Sequence, residues 1–322
     1  MRKKFEEFKG EYAKSYGSPE EHEERLRIFA TNVATAESWN TGSGATFGVT
    51  QFSDLSREEF SARYTNYVAP EISTLEPLEV PDINLSDYGK VNWYGNLTTP
   101  VKDQGHCGSC WAFSATEQIE SMWIKKYDRF PFISKLSVQQ IVSCDDDGHV
   151  SSLYTQQSPD SMRSYVWYGR TAFRIRAATV ATLKRLTITL SLPVAWCVHK
   201  THAGAVTQPV LTHKMLHMER IQVHEHEYPY VSGKSGRTGE CERRLVRPTY
   251  IRAEIEKGVT VGKRDEKVMQ KYVASQGPLS ICVNAEKWQH YKYGTLDLSQ
   301  CPDKKTDHCV QIVGFKADDP ED

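Results

Sequence analysis

The sequence predicts an α+β protein in which helices fill the N-terminal region and strands appear toward the C-terminal end. Aromatic residues recur every three or four positions from Phe5 to Tyr16, which is the spacing of one helix face. A second helical periodicity runs from Trp111 to Tyr127, directly after two closely spaced cysteines. The segment from Asp307 to Phe315 alternates as a buried strand does.

Another helix is predicted to begin at Ser18. This serine can act as the N-cap, Pro19 suits the first helical position, and Glu21 can close a capping box. The apolar face continues through Leu26, Phe29, Val33 and Ala36. The N-terminal region therefore predicts a helical hairpin whose apolar face needs a partner.

The composition excludes some classes of function. The 322 residues carry a formal net charge of -1, so no basic excess favours binding to nucleic acid or to a membrane surface. No apolar run approaches the roughly 20 residues of a membrane span. The N-terminus shows no secretory signal, and we expect the leader to be missing from this chain if the protein enters the secretory pathway.

The segment from Gln104 to Ser114 contains the candidate nucleophile. Glycines bend the backbone before Cys110, which then opens the helix of Trp111 to Tyr127. A thiol at a helix N-terminus feels the positive end of the helix dipole, so we expect a lowered pKa. The spacing of Cys107 and Cys110 alone leaves open a disulfide or half of a zinc site.

The run Gln-Gly-His-Cys-Gly-Ser-Cys-Trp-Ala-Phe-Ser resembles the active-site segment of papain-like cysteine proteases, the cathepsin family. Segments 91–104, 136–144, 227–230, 239–241 and 307–315 resemble further parts of that family's mature enzyme. The resemblance implies a two-lobed α+β fold, with a helical left lobe and a β-rich right lobe. The cleft between the lobes would hold the active site.

Two motifs in the first 60 residues resemble the inhibitory prosegment of cathepsins. The first comprises Glu21, Arg25, Phe29, Asn32 and Asn40, although Ala36 stands where an isoleucine is usual. The second comprises Gly48, Thr50, Phe52 and Asp54. The implied role is to lie across the catalytic cleft and block it until cleavage.

We divide the chain into five segments. Residues 1–65 form the helical prosegment, and 66–86 form a Pro-containing linker with a processing site near residue 80. Residues 87–147 form the left lobe and 227–322 an incomplete right lobe. Between them, 148–226 resembles no part of the family and is rich in histidine. We interpret it as an error in the gene model, with a genuine insertion as the alternative.

The resemblance implies a catalytic set of Gln104, Cys110 and His308. Cys110 would attack the peptide carbonyl, His308 would transfer protons, and Gln104 would help stabilise the oxyanion. The family's Asn-Ser-Trp motif, whose asparagine orients the histidine, does not occur in the sequence. No cofactor or metal is expected. The expected partners are protein or peptide substrates and the chain's own prosegment, and the expected location is the lysosome, the vacuole or the cell exterior.

The resemblance also implies how some of the cysteines pair. It implies a bridge between Cys144 and Cys241, whereas the usual partners of Cys107 and Cys301 are missing from the sequence. Cys282 and Cys309 lie in apolar strands, and we expect them to be buried, unpaired thiols.

Two alternative functions remain. The missing asparagine and the interrupted middle favour a catalytically inactive homologue or a prosegment-type inhibitor. His213 and His217, four residues apart, could belong to a metal-binding module. A thioredoxin-like site at Cys107 and Cys110 is disfavoured because no βαβ pattern surrounds them.

Overall fold

A computed structural model describes residues 1–40, 44–65, 67, 76–127, 135–144, 221–246, 251–254, 259–261, 266–296 and 306–316. Its helices are α1 Arg2–Glu11, α2 Pro19–Trp39, α3 Arg57–Tyr64, α4 Cys110–Tyr127, α5 Val138–Cys144, α6 Ser232–Ser235 and α7 Glu266–Ser275. Its strands are β1 Thr46–Phe47, β2 Glu76–Pro77, β3 Lys90–Asn92, β4 Ile221–Val223, β5 Ile251–Glu254, β6 Val259–Thr260, β7 Leu279–Val283, β8 Tyr291–Tyr293, β9 His308–Ile312 and β10 Gly314–Lys316. The candidate metal ligands His213 and His217, and the cysteines Cys197 and Cys301, lie outside the described residues.

Helices α1 and α2 form the predicted hairpin. Phe5, Phe8 and Phe29 are fully buried between them, with the Phe5 and Phe29 ring centroids 5.2 Å apart. The Ser18 hydroxyl caps α2 by accepting from the Glu21 N–H. The Glu21 carboxylate instead accepts from the Gly17 N–H at 2.7 Å, so the predicted capping box is displaced by one residue.

The spacing of the prosegment motifs has a structural cause, since polar side chains of α2 bind α3 and the turn that precedes it. Arg25 binds the Glu59 carboxylate through both guanidinium nitrogens, at 2.5 and 2.8 Å. Asn32 donates to the carbonyl oxygens of Ser53 and Leu55 at 2.9 and 2.8 Å. These bonds tie α2 to the segment that leads into α3.

The prosegment is joined to the rest of the chain by strand pairing and side-chain contacts. Strand β1 pairs antiparallel with β8. The Thr50 hydroxyl donates to the Gln289 carbonyl oxygen, and the Gln289 amide donates back to the carbonyl oxygens of Phe52 and Leu55. Arg57 forms an ion pair with Glu286. The first 65 residues are therefore docked onto the body of the protein.

Helix α4 lies at the centre of the body and packs against α5, β7 and β9. Its small and apolar residues Ala112, Ala115 and Ile119 are buried. Its polar residues bind the strands directly. The Ser114 hydroxyl donates to the Val310 carbonyl oxygen, and the Gln118 side chain bonds both the Pro278 carbonyl and the Ser280 N–H.

Strands β7 and β9 pair antiparallel, and β10 pairs with β3. Their inward residues form a core with α7, built from Tyr272, Leu279, Ile281 and Phe315, each at most 2% exposed. Strand β4 pairs with β5, so the fold includes residues within the 148–226 segment. Within the described ranges, every helix is too short or too polar to cross a bilayer.

The cysteines confirm one prediction and correct another. Cys144 and Cys241 form the expected disulfide. Cys282 and Cys309 are buried as predicted, but they are joined to each other, so the prediction of unpaired thiols is wrong. The reason is strand register: residues 282 and 309 lie directly opposite each other in the β7–β9 pair. Cys107 and Cys110 are free, buried thiols.

Candidate active site

A glycine bend positions the loop before α4. Gly105 adopts φ +57°, and a Cβ at this residue would lie 2.6 Å from the Gly233 carbonyl oxygen. The same oxygen accepts from the His106 N–H at 2.8 Å. The Tyr230 hydroxyl donates to the Gln104 carbonyl oxygen, also at 2.8 Å. Only glycine allows this close approach, which sets the direction of the Gln104 side chain.

Cys110 is the first residue of α4, as predicted, and is 1% exposed. Its sulfur accepts a hydrogen bond from the backbone N–H of Cys309. Burial nevertheless raises the pKa of the thiol to about 12. The expectation that the helix terminus lowers this pKa is wrong for the structure described here, because desolvation outweighs the favourable dipole.

His308 opens β9, next to Cys309. Burial lowers the pKa of its imidazole to about 4. The imidazole donates to the Tyr64 carbonyl oxygen, while its Nδ1 is buried without a hydrogen-bond partner. The Trp288 ring stands edge-on to it, with centroids 5.4 Å apart. At neutral pH the imidazole is therefore neutral.

Gln104 contacts the same Tyr64 oxygen as His308. Its Nε2 donates to that carbonyl at 3.3 Å and to the Cys107 carbonyl at 3.0 Å. The structure thus brings Gln104 and His308 together on one prosegment oxygen. Cys110 contacts the backbone beside His308, and no hydrogen bond joins the described side chains of Cys110 and His308.

The end of the prosegment contributes residues that the sequence reasoning did not select. The Thr65 hydroxyl bonds the Asp307 carboxyl group, and the Tyr67 N–H donates to the Asp307 carbonyl oxygen at 3.0 Å. The Tyr67 side chain is buried in the same apolar cluster as Cys110 and Cys309. Burial raises the pKa of Asp307 to about 7. The sequence could have pointed to Asp307, because this residue directly precedes His308 in the chain.

The site offers little for a metal ion. Among the described residues, no group of three histidine, cysteine, aspartate or glutamate side chains is arranged to hold one. The chemistry available is that of a buried thiol beside β9, and of an imidazole and an amide that share one carbonyl oxygen.

Family models match most of the chain. The cathepsin propeptide inhibitor domain matches residues 5–60. The papain family cysteine protease model matches residues 89–157 and 197–322. This family model leaves residues 158–196 unmatched, so it matches parts of the 148–226 segment in which the sequence analysis found no resemblance to the family.

Individual proteins with related names are also similar to this chain. Cysteine proteinase B of Leishmania mexicana is 32% identical over 320 residues, which cover 97% of this chain and 58% of that protein. The chain thus spans little more than half the length of this curated relative. Digestive procathepsin L2 of Tenebrio molitor has the same fold, with a TM-score of 0.66 at 23% identity over 98% of this chain and 86% of that one.

Procathepsin L 3 from the same insect gives a TM-score of 0.63 at 21% identity, covering 98% of this chain and 84% of that one. The prosegment and the body therefore share the arrangement of a procathepsin, as the sequence predicts. The chain belongs to the papain family of cysteine proteases and carries that family's propeptide inhibitor domain.

Proposed function

We propose that this papain-family zymogen is the precursor of an endopeptidase that acts through Cys110, His308 and Gln104. The Cys110 thiolate attacks the substrate carbonyl carbon and forms a thioester as the C–N bond breaks. The His308 imidazolium gives its proton to the leaving amine. The imidazole then takes a proton from water as that water attacks the thioester, which releases the acid and restores the thiolate.

The observation that carries this proposal is the position of the Tyr64 carbonyl oxygen. It accepts from the Gln104 amide at 3.3 Å and from the His308 imidazole. A substrate carbonyl oxygen needs the same kind of donor, since negative charge develops on it during attack. The prosegment therefore uses the groups that we assign to catalysis.

Burial of both groups explains why we expect the zymogen to be inactive. Burial holds the Cys110 thiol protonated, with its pKa at about 12, and the His308 imidazole neutral, with its pKa at about 4. A neutral thiol is a poor nucleophile and a neutral imidazole is a poor acid. Removing the prosegment readmits water, which lowers the first pKa and raises the second. The dipole of α4 then favours the thiolate.

This proposal keeps the division of the chain into a prosegment at 1–65, a linker at 66–86, and lobes at 87–147 and 227–322. Cleavage in the linker releases the prosegment, which is the natural partner of the cleft. Protein or peptide chains are the substrates. The disulfide bridges of the fold, together with the sequons at Asn84 and Asn96, support the lysosome, the vacuole or the cell exterior as the location.

The test is cleavage of a fluorogenic peptide by the chain after proteolysis in the linker. We expect turnover that disappears in Cys110→Ser and falls at least a hundredfold in His308→Ala, with Cys107→Ser as the matched thiol control. Turnover by Cys110→Ser would contradict the proposal.

A second candidate is an inactive homologue that serves as an inhibitor. The buried Nδ1 of His308, which has no partner to orient the ring, favours it. In that case the processed chain fails to react with an electrophilic epoxide at Cys110. Its released prosegment would still inhibit other papain-family enzymes.

A further inference from the structure

We propose that Glu117 forms a cation-binding subsite beside the reaction centre, which takes a lysine or arginine side chain of the substrate. This inference rests on the proposed function for its biological meaning. The binding itself depends only on a cavity and a carboxylate in the described part of the chain.

The cavity has a volume of about 260 Å³ and lies next to the candidate catalytic groups. Gln104 and His308 form part of its wall, and Glu117 lines it from helix α4. Tyr94 and Val101 also line it and are 38% and 42% exposed, so the cavity opens to solvent beside them. A ligand there would lie next to the bond that is cut.

Glu117 is the carboxylate and Lys102 the ammonium group in the described lining of this cavity, and Lys102 is held in an ion pair with Glu120. The nearby Glu120 is already paired, since its carboxylate accepts from Lys102 Nζ at 2.6 Å and from the Leu136 N–H at 2.7 Å. Lys102 also donates to the Thr99 hydroxyl at 2.8 Å. No described group donates a hydrogen bond to the Glu117 carboxylate.

The environment of Glu117 favours the binding of a cation. Burial raises the pKa of its carboxyl group to about 7, and the Glu120 charge raises it further while Lys102 opposes both. The Glu117 side chain is only partly exposed and accepts no hydrogen bond from a described group, so its charged form is costly, and a cation that enters the cavity removes that cost. Binding of a cation therefore draws this carboxyl group into its charged form.

The remaining walls select the shape of the ligand. Phe113, Val310 and Val313 present apolar surface that suits an aliphatic stem. Trp288 Nε1 is buried in this wall without an acceptor and can donate to a carbonyl oxygen of the ligand backbone. An alkyl chain ending in an ammonium or guanidinium group meets all three requirements, whereas a carboxylate ligand would face Glu117.

The first experiment measures binding to the full chain, because the described lining of the cavity contains no prosegment residue. Calorimetry compares lysine amide with norleucine amide, which has the same stem without the ε-ammonium group. We expect lysine amide to bind about tenfold more tightly. Glu117→Gln should abolish this difference, whereas the exposed-site control Glu7→Gln should retain it. Equal affinities for the two ligands in the wild-type chain would overturn the proposal, even if the variant fails to fold.

The second experiment uses the processed chain and peptide pairs that carry lysine or norleucine at each position around the cleaved bond. We expect kcat/KM to favour lysine about tenfold at one position, and Glu117→Gln to remove that preference while cleaving the norleucine peptide normally. Cleavage without any lysine preference would contradict the proposed subsite but not the proposed protease function. Failure to cleave either peptide would contradict the proposed protease function. The calorimetry would still test whether the subsite binds a cation.

Discussion

Tyr64 presents its backbone carbonyl oxygen to the side-chain amide of Gln104, 3.3 Å away, and so connects the last residue of α3 to the loop that precedes α4. The same oxygen accepts from His308. One prosegment atom thus accepts from two of the groups that we assign to catalysis. The following predictions test this arrangement and the fold that supports it.

The Cys110 thiol should be protected from alkylation in the full chain. Its pKa of about 12 leaves almost no thiolate at pH 7. After cleavage in the linker, we expect iodoacetamide to modify Cys110 at least ten times faster. Mass spectrometry of the peptide that contains Cys110 measures the rate. Cys107, which is also free and buried, serves as the internal comparison. Equal rates at Cys110 before and after cleavage would contradict the protective role of the prosegment.

Protonation of His290 should destabilise the full chain as the pH drops from about 6.5 to about 4, and His308, whose pKa is equally low, should act in the same direction. The His290 side chain is buried against Trp39 of the prosegment, at 5.7 Å between ring centroids, and burial lowers its pKa to about 4. A depressed pKa in the folded state means that the stabilisation is present above the unfolded value and is lost as protons bind. The contribution is up to about 3 kcal/mol.

Urea unfolding at several pH values compares the wild type with His290→Gln. The variant should lose less stability on acidification, because its side chain does not titrate in this range. Asp307 acts in the opposite direction, since its raised pKa favours the folded state at low pH. Parallel pH curves for the two proteins would show that His290 is not responsible.

The sequence predicted the fold through its local patterns and motifs, and it failed where the outcome depends on tertiary burial. The spacing of Arg25 and Asn32 correctly indicated the prosegment, because Arg25 binds Glu59 in α3 and Asn32 binds the turn before that helix. The helical spacing after Cys110 also predicted α4 correctly. The raised pKa of Cys110 was not predicted, because the dipole of α4 is a local property whereas burial beside β9 and Tyr67 is not.

The disulfide between Cys282 and Cys309 was missed for a similar reason. Both residues stand in apolar runs that predict strands, but a one-residue change in register would turn them to opposite faces. The Glu117 cavity was also beyond the sequence, since its walls come from distant segments. Glu117 itself reads as an ordinary polar helix residue.

Non-reducing peptide mapping should find Cys282 linked to Cys309. The two residues are 27 positions apart, so the loop-entropy relation gives a stabilisation of about 3.5 kcal/mol, compared with about 5 kcal/mol for the 97-residue separation of Cys144 and Cys241. Replacing both members of each pair with alanine and measuring urea unfolding tests this order. Recovery of Cys282 and Cys309 as separate alkylated thiols would contradict the bridge.

Arg25→Met should lower the free energy of unfolding of the prosegment by about 2 kcal/mol. The reason is that the partly buried Glu59 carboxylate loses its bidentate partner. The side chains of this pair are 17% and 30% exposed. The control is Arg2→Met, whose pair with Glu23 is 71% and 50% exposed and should contribute little to stability. Thermal unfolding of both variants gives the comparison, and equal losses would remove the special role of Arg25.

Gly105→Ala should damage both stability and the candidate oxyanion donor. The added Cβ would meet the Gly233 carbonyl oxygen at 2.6 Å, and the residue would also have to keep φ +57°. We expect a loss of at least about 2 kcal/mol, since the strain of the left-handed conformation adds to the steric overlap. Gly89→Ala is the matched control, because a Cβ at Gly89 meets nothing within 4 Å. If the loop moves to relieve the overlap, the Gln104 amide moves with it, and kcat of the processed chain should fall more than KM rises. A Gly105→Ala protein with wild-type stability and kcat would show that the close approach to Gly233 does not position Gln104.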